Sequence, residues 1–168
     1  MKVAIIYYSM SGNTKYAADK IEEQLKAGAE VERIEIHPVK AYPDKGAKKF
    51  FWGGKSAVMG ETPELEPYDF DADYYDMVII GTPVWASNCA PPIRTFLTEH
   101  AGELKGKKLG MYVCYSGGGA EKAIVKMKKC ISTEDGVMEL SLIDPLKKPK
   151  EENMHAIADF CKALCNAQ

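Results

Sequence analysis

The sequence has no long apolar run, no cysteine pair with metal-binding spacing and no strong excess of charge. The apolar stretch near its start, Val3 to Tyr8, is too short to span a membrane, and no small-residue cleavage site follows it. The 5 cysteines are odd in number and include no C-x-x-C pair, which disfavours a disulfide framework and a zinc site. His37, His100 and His155 lack the spacing of metal ligands. We therefore expect a cytoplasmic protein with no membrane segment and no bound metal.

The charge balance argues against a nucleic-acid partner. The net charge is -2, and there is no long basic block or basic region interleaved with aromatic residues. A hydrophobic content of 46% with 27% charged residues is typical of a globular protein. A chain of 168 residues is long enough for one sizeable core and too short for two. We expect a single domain over residues 1–168.

Short apolar runs alternate with helical patterns from one end of the chain to the other. The runs Lys2–Tyr8 and Met77–Thr82 are apolar throughout or nearly so, as in central strands that are covered on both faces. Strands that alternate with helices predict right-handed crossovers and a parallel sheet. We predict a doubly wound α/β fold, a three-layer sandwich around a five-stranded parallel sheet of order 2-1-3-4-5. The remaining predicted strands are Glu30–Ile36, Leu109–Tyr115 and Gly136–Leu142, and the predicted helices are Thr14–Ala27, one that starts at Pro91, Ala120–Ile131 and Glu151–Ala167.

A polar loop lies between the first strand and the first helix. It consists of Ser9, Met10, Ser11, Gly12, Asn13 and Thr14. The start of a helix offers unpaired N–H groups and the positive end of a dipole, so it binds phosphate without Arg or Lys. The loop carries more hydroxyl and amide side chains than a helix cap needs, and we favour a phosphate site over a plain cap. It matches neither G-x-x-x-x-G-K-[ST] nor G-x-G-x-x-G, which argues against a nucleoside triphosphate or an ordinary dinucleotide site.

Two more loops follow later strands of the predicted sheet. The loop after the third strand carries Trp85, whose ring either stacks on a planar ligand or covers an edge of the core. The loop after the fourth strand is almost free of side chains, so it is either a flexible turn or a backbone surface whose N–H groups point at a ligand. Because ligands of doubly wound sheets bind outside the carboxyl ends of the strands at the switch point, we expect the three loops to form one site. The residues of these two loops are Thr82, Pro83, Val84, Trp85 and Ala86, and Ser116, Gly117, Gly118 and Gly119.

The three loops, in this order, resemble those of the flavodoxin family. The loop Ser9–Thr14 is similar to the family's FMN phosphate loop, and Gly81–Trp85 and Ser116–Gly119 resemble the two loops that hold the isoalloxazine ring. The resemblance covers nearly the whole chain. It implies FMN as the cofactor, contacts from the first loop to its phosphate, Trp85 as the stacking ring and no catalytic side chain.

Two features depart from the electron-carrier flavodoxins, many of which are strongly acidic and cover the second flavin face with a tyrosine of the third loop. Here the net charge is close to zero and the third loop is Ser116–Gly119, which implies an open face. That face either admits a substrate or is covered by the long connection between the second and third strands.

The connection from about residue 37 to 76 is far longer than a usual crossover, and such length is more often functional than idle. We predict a helix around Asp44 to Trp52 within it. Between Glu61 and Asp76 there are seven acidic residues and no Lys or Arg, so this stretch forms either a negative patch near the site or a plain solvated loop. Its aromatic residues, which either join the core or cover the flavin, are Tyr42, Phe50, Phe51 and Trp52.

Among the cysteines, Cys89 follows the Trp85 loop and is either redox-active or a small buried apolar group, which is the commoner role of a single cysteine. Cys161 and Cys165 are expected on the inner face of the last helix.

Three functions follow from these patterns. The favoured one is an electron carrier in which FMN moves electrons between redox partner proteins, including partners with a basic surface. The alternative is an FMN-dependent NAD(P)H:quinone-type reductase that acts on a small planar acceptor. The third is a flavin-poor module that binds a partner protein through the acidic insert.

Overall fold

The computed structural model describes residues 1–43, 48–133, 136–147 and 151–166, with the side chains of 48–52 excepted. The strands are β1 (Lys2–Tyr7), β2 (Glu30–Glu35), β3 (Met77–Trp85), β4 (Asn88–Cys89), β5 (Lys108–Tyr115) and β6 (Val137–Ile143). Five of them form a parallel sheet in the order β2-β1-β3-β5-β6. The short β4 pairs antiparallel with the end of β3 and was not predicted. The predicted doubly wound fold and its strand order are confirmed.

Helices cover both faces of this sheet. Their bounds are α1 (Asn13–Leu25), α2 (Lys48–Met59), α3 (Pro91–Glu99), α4 (Ala101–Leu104), α5 (Ala120–Cys130) and α6 (Glu151–Asn166). Pro91 and Pro92 occupy the first turn of α3, where a missing N–H breaks no helical hydrogen bond. Within the described residues, no helix has the length and apolar character needed to cross a membrane.

The apolar strands supply two separate cores. Successive side chains of a strand point to opposite faces, so Val3 and Ile5 pack with α1 and α6, whereas Ala4 and Ile6 pack with α3 and α5. All four side chains are fully buried. The edge strand β6 instead buries Leu140 and Leu142 in alternation with exposed residues, as its sequence predicts.

An isolated β-bridge closes part of the long connection into a loop. A single bridge joins Pro38 to Leu65, and α2 lies between them. The predicted helix at 44–52 is wrong in extent: residues 44–47 lie outside the described residues, and α2 continues past residue 52 to Met59. Gly53 lies within α2, and its bare backbone packs on Trp85, where an added Cβ would be 3.0 Å from the indole.

The last helix has a narrower buried face than predicted. Ile157, Phe160, Cys161 and Leu164 are buried, whereas Cys165 is exposed, which corrects its expected place on the inner face. At 3.6 residues per turn, position 165 lies about 100° around the helix from position 164, beyond the edge of a stripe centred on 157, 161 and 164.

Candidate cofactor site at the carboxyl ends of the strands

The first loop enters α1 through a glycine in the left-handed conformation. Gly12 has a φ of 85°, and its carbonyl accepts the first helical hydrogen bond, from the Tyr16 N–H at 2.9 Å. A Cβ at this position would also approach the Leu146 side chain to 3.0 Å. Both the backbone geometry and the close packing therefore require glycine, and they present the N–H end of α1 at the rim of the sheet.

The polar side chains of this loop have different partners. The Ser9 hydroxyl accepts a hydrogen bond from the Lys15 N–H at 3.3 Å, so it caps α1. Asn13 is buried and its side-chain oxygen accepts from the Leu146 N–H at 2.9 Å. Thr14 is buried, and its carbonyl accepts a hydrogen bond from the Tyr112 hydroxyl at 3.1 Å. Ser9 therefore has the helix-capping role that was the alternative to phosphate binding. Ser11 is the one residue of the loop whose hydroxyl is exposed.

The second loop is built by a short hairpin. Thr82 is fully buried, donates to the Pro83 carbonyl at 3.0 Å and accepts from the Ala90 N–H at 2.9 Å. Its hydroxyl thus stabilises the start of α3 inside the protein. The strand continues to Trp85, which pairs with Asn88 of β4.

The indole of Trp85 is held by aromatic neighbours. The centroid of the Tyr8 ring lies 5.8 Å from that of the indole, at an interplanar angle of 87°, and the centroid of the Tyr42 ring lies 5.3 Å from it, at 83°. Both are edge-to-face contacts, which fix the orientation of a half-buried ring. Tyr42 therefore brings the long connection to the site. The side chains of Phe50, Phe51 and Trp52, which were expected either to join the core or to cover the flavin, lie outside the described residues.

The third loop leaves open space above the sheet. An added Cβ at Gly117 or Gly118 would have no heavy atom within 4 Å, whereas one at Gly119 would lie 2.9 Å from the Ser87 backbone. Ser116 donates to the Asp144 carboxylate at 2.6 Å, which ties the loop to the end of β6.

These loops enclose a cavity of about 310 Å³, within the range of small-molecule sites. The predicted residues that line it are Met10, Ser11, Asn13, Pro83, Val84, Trp85, Ala86, Ser116, Gly117 and Gly118. The other predicted residues do not line the cavity but support the loops that form it. They are Ser9, Gly12, Thr14, Thr82 and Gly119.

Five further lining residues were missed: Gly54, Cys114, Tyr115, Asp144 and Lys147. Asp144 and Lys147 follow β6, so the rule that placed the other loops at the carboxyl ends of strands also predicts these two. Cys114 and Tyr115 are the last residues of β5 and directly precede the predicted loop. Gly54 carried no signal, because α2 reaches the site only through tertiary packing.

Burial keeps the cysteines around the site neutral. It raises the pKa of the Cys114 thiol to about 12, an effect that the neighbouring Thr14 side chain partly opposes. It also raises the pKa of Cys89 to about 12, and Cys89 is fully buried outside the cavity lining. Between the two interpretations of Cys89, the buried apolar group fits the structure.

The acidic stretch does not gather at the cavity. Asp76 accepts from the backbone N–H of Lys2 at 2.7 Å, and Asp73 pairs with Lys107 at 3.4 Å. Both contacts lie at the amino-terminal end of the sheet, opposite the cavity. A crossover between parallel strands must return the chain to the end where the next strand begins. Of the two interpretations of the acidic stretch, the single negative patch near the site therefore does not fit the structure.

Three carboxylates stay at the carboxyl-terminal end of the sheet. The Glu64 carbonyl accepts from the Val39 N–H, the Glu66 N–H donates to His37, and Glu61 raises the pKa of Tyr42, although burial of the tyrosine is the larger cause.

Comparison with known proteins identifies the relatives of this chain. The family model described as NADPH-dependent FMN reductase matches residues 1–138. A Lactobacillus acidophilus flavoprotein, solved in complex with FMN, is 24% identical over 90% of this chain and 98% of that one, with a TM-score of 0.68. The two-electron reduced flavodoxin of Megasphaera elsdenii is 24% identical over 96% of this chain and 99% of that one, with a TM-score of 0.63. Flavodoxin 1 of Bacillus cereus is 17% identical over 100% of this chain and 99% of that one, with a TM-score of 0.60. The predicted resemblance to flavodoxins is confirmed.

Proposed function

Because the chain belongs to the NADPH-dependent FMN reductase family, we propose that it is a reductase that passes electrons from a nicotinamide nucleotide to a small planar acceptor such as a quinone. FMN is its cofactor and supplies the electron and hydride transfer. The protein contributes binding and orientation of the cofactor.

The donor set of the cavity suits FMN. The N–H end of α1 and the exposed Ser11 hydroxyl offer the dipole and hydrogen bonds that a phosphate needs. Trp85 offers an aromatic surface for a planar ring, and Gly117 and Gly118 leave room that side chains would fill. We propose that the phosphate lies at Ser9–Thr14 and that one face of the ring lies against the Trp85 loop, so that its other face is turned toward the open space above Gly117 and Gly118.

The open third loop is the observation that favours a reductase over an electron carrier. Gly117 and Gly118 place no side chain over the cavity, and a Cβ at either position would meet nothing within 4 Å. An uncovered ring face gives a second planar molecule direct access, which a reductase of small acceptors requires.

An electron carrier is the second candidate. It is favoured by the exposed carboxylates Glu61, Glu64 and Glu66 at the same end of the sheet as the cavity, because they would attract a redox partner with a basic surface. The position of Asp73 and Asp76 at the opposite end of the sheet weakens this candidate. A flavin-poor module is disfavoured by the family.

We also propose a cytoplasmic location. All five cysteines are free thiols, the form that a reducing compartment maintains.

Steady-state oxidation of NADPH and of NADH with a quinone tests the proposal. We expect turnover with at least one donor, and the variant Gly118→Tyr should retain FMN but lose about tenfold in kcat/KM for the quinone, because its ring would cover the open side. Gly102→Tyr is the matched control, since it adds the same side chain at an exposed glycine in α4.

Absence of turnover with both donors would reject the reductase. If a one-electron-reduced flavin also accumulated during stepwise reduction, the electron carrier would become the favoured function.

A further inference from the structure

The turn that follows Trp85 has an unfavourable backbone. Ala86 and Ser87 join β3 to β4, and their φ angles are 49° and 60°. Two-residue hairpins of this kind need positive φ at both positions and favour Asn-Gly there. Ala and Ser carry a Cβ that disfavours the left-handed region, so the surrounding structure must hold the turn in place.

Lys126 of α5 stabilises the turn through hydrogen bonds. Its ammonium donates to the Ser87 carbonyl at 3.0 Å and to the Asn88 side-chain oxygen at 2.7 Å. The Asn88 amide in turn donates to the Ala86 carbonyl at 2.8 Å, and Asn88 is buried. Hydrogen bonds from a charged donor are stronger than those between neutral groups. The Lys126 ammonium reaches Ser87 directly and Ala86 through the Asn88 side chain, so it links both residues of the turn.

Lys126 acts from outside the cavity. Trp85 and Ala86 line the cavity, but Lys126 does not, so a search of the lining alone would miss it. Gly119 closes the other side of the turn, because only a residue without a Cβ fits 2.9 Å from the Ser87 backbone. The turn is therefore fixed between α5 and the third loop.

We propose that Lys126 is a positioning residue for FMN, whose ammonium group holds the Ala86–Ser87 turn so that Trp85 and Ala86 are in place before the ring binds. This inference rests on the proposed function, since it assumes that the ring lies against the Trp85 loop. A site ordered in advance loses less conformational entropy on binding, so the contact raises FMN affinity without touching FMN.

The first test compares Lys126→Met with Lys129→Met, which removes the same charge from an exposed position three residues further along α5. Met is a good helix former, so α5 should persist in both variants. We expect hydrogen exchange of the amides of residues 86–88 to become about tenfold faster in Lys126→Met alone, in protein purified without added FMN. Its Kd for FMN should rise about tenfold, and Lys126→Arg should restore most of the affinity.

The second test relieves the strain that Lys126 offsets. Glycine adopts positive φ without penalty, so Ser87→Gly in the Lys126→Met background should return the Kd to within about twofold of the wild type. A lysine that only stabilised α5 globally would not be rescued in this way. If Lys126→Met alone does not fold, the double variant still tests the inference. Recovery of folding and of FMN binding in it would show that glycine at position 87 had relieved the backbone strain.

Unchanged exchange and affinity in Lys126→Met would overturn the inference while the proposed function stood. So would a double variant that remains as impaired as the single one. Failure of the wild type to bind FMN would instead reject the proposed function, and exchange at residues 86–88 would still report on Lys126.

Discussion

Two serines of the first loop look equivalent in the sequence but face different partners. Ser9 accepts from the Lys15 N–H and is part of the helix cap, whereas Ser11 is exposed and lines the cavity. A cap contributes to the stability of the fold, and an exposed hydroxyl at a phosphate site contributes to ligand binding.

The two serines should therefore separate stability from binding. Ser9→Ala should lower the free energy of unfolding by about 1 kcal/mol, and Ser11→Ala should leave it unchanged while raising the Kd for FMN several-fold, about what one hydrogen bond contributes. Urea unfolding and FMN titration measure the two effects. Thr98→Ala, which removes an exposed hydroxyl from α3, is the control for both. Equal effects of the two serine variants on stability would contradict the division.

At the scale of elements, α1 is positioned by a strand that it does not follow in sequence. The Tyr112 ring of β5 occupies space that Gly81 of β3 leaves empty, since a Cβ there would lie 2.0 Å from the ring. Its hydroxyl reaches the first turn of α1 and donates to the Thr14 carbonyl at 3.1 Å. The N–H end of α1 thus depends on a bond from the middle of the sheet.

Tyr112→Phe tests this link. The ring and its packing stay, but the Thr14 carbonyl loses a buried donor, so we expect the free energy of unfolding to fall by about 1–2 kcal/mol. Tyr16→Phe, on the half-buried side of α1, should change it by less than about 0.5 kcal/mol. Urea denaturation of both variants measures the difference, and equal losses would show that the hydroxyl of Tyr112 has no special role.

The elements also show what the sequence could and could not predict. The apolar strands β1 and β3 identified a sheet covered on both faces, and the rule about the carboxyl ends of strands brought three loops together. The Ala86–Ser87 hairpin was missed because neither residue signals a turn with positive φ. The contact between the bare backbone of Gly53 and the Trp85 indole was not predicted either. Such features depend on partners distant in sequence, which periodicity does not report.

Across the whole molecule, the cysteines divide into protected and accessible thiols. Burial raises the pKa of Cys89, Cys114 and Cys161 to about 12, from an ordinary value of 9.0. Cys165 is exposed on α6. The buried thiols are divided between the two cores of the sheet. Cys89 lies in the core beside α3 and α5, and Cys114 and Cys161 lie in the core beside α1 and α6.

This distribution predicts alkaline instability. Below about pH 9 these thiols are protonated in both the folded and the unfolded chain, so their contribution to stability is complete. Between pH 9 and about 12 the unfolded chain loses protons that the folded chain keeps, and each thiol should lower the free energy of unfolding by about 1.4 kcal/mol per pH unit. Urea unfolding at several pH values measures the slope. Cys161→Ala should remove the contribution of one thiol and so make the slope shallower. Cys165→Ala, which removes an exposed thiol from the same helix, is the matched control. A slope that Cys161→Ala did not alter would mean that this thiol ionises without unfolding the protein, and that the contact between α6 and α1 around it admits water.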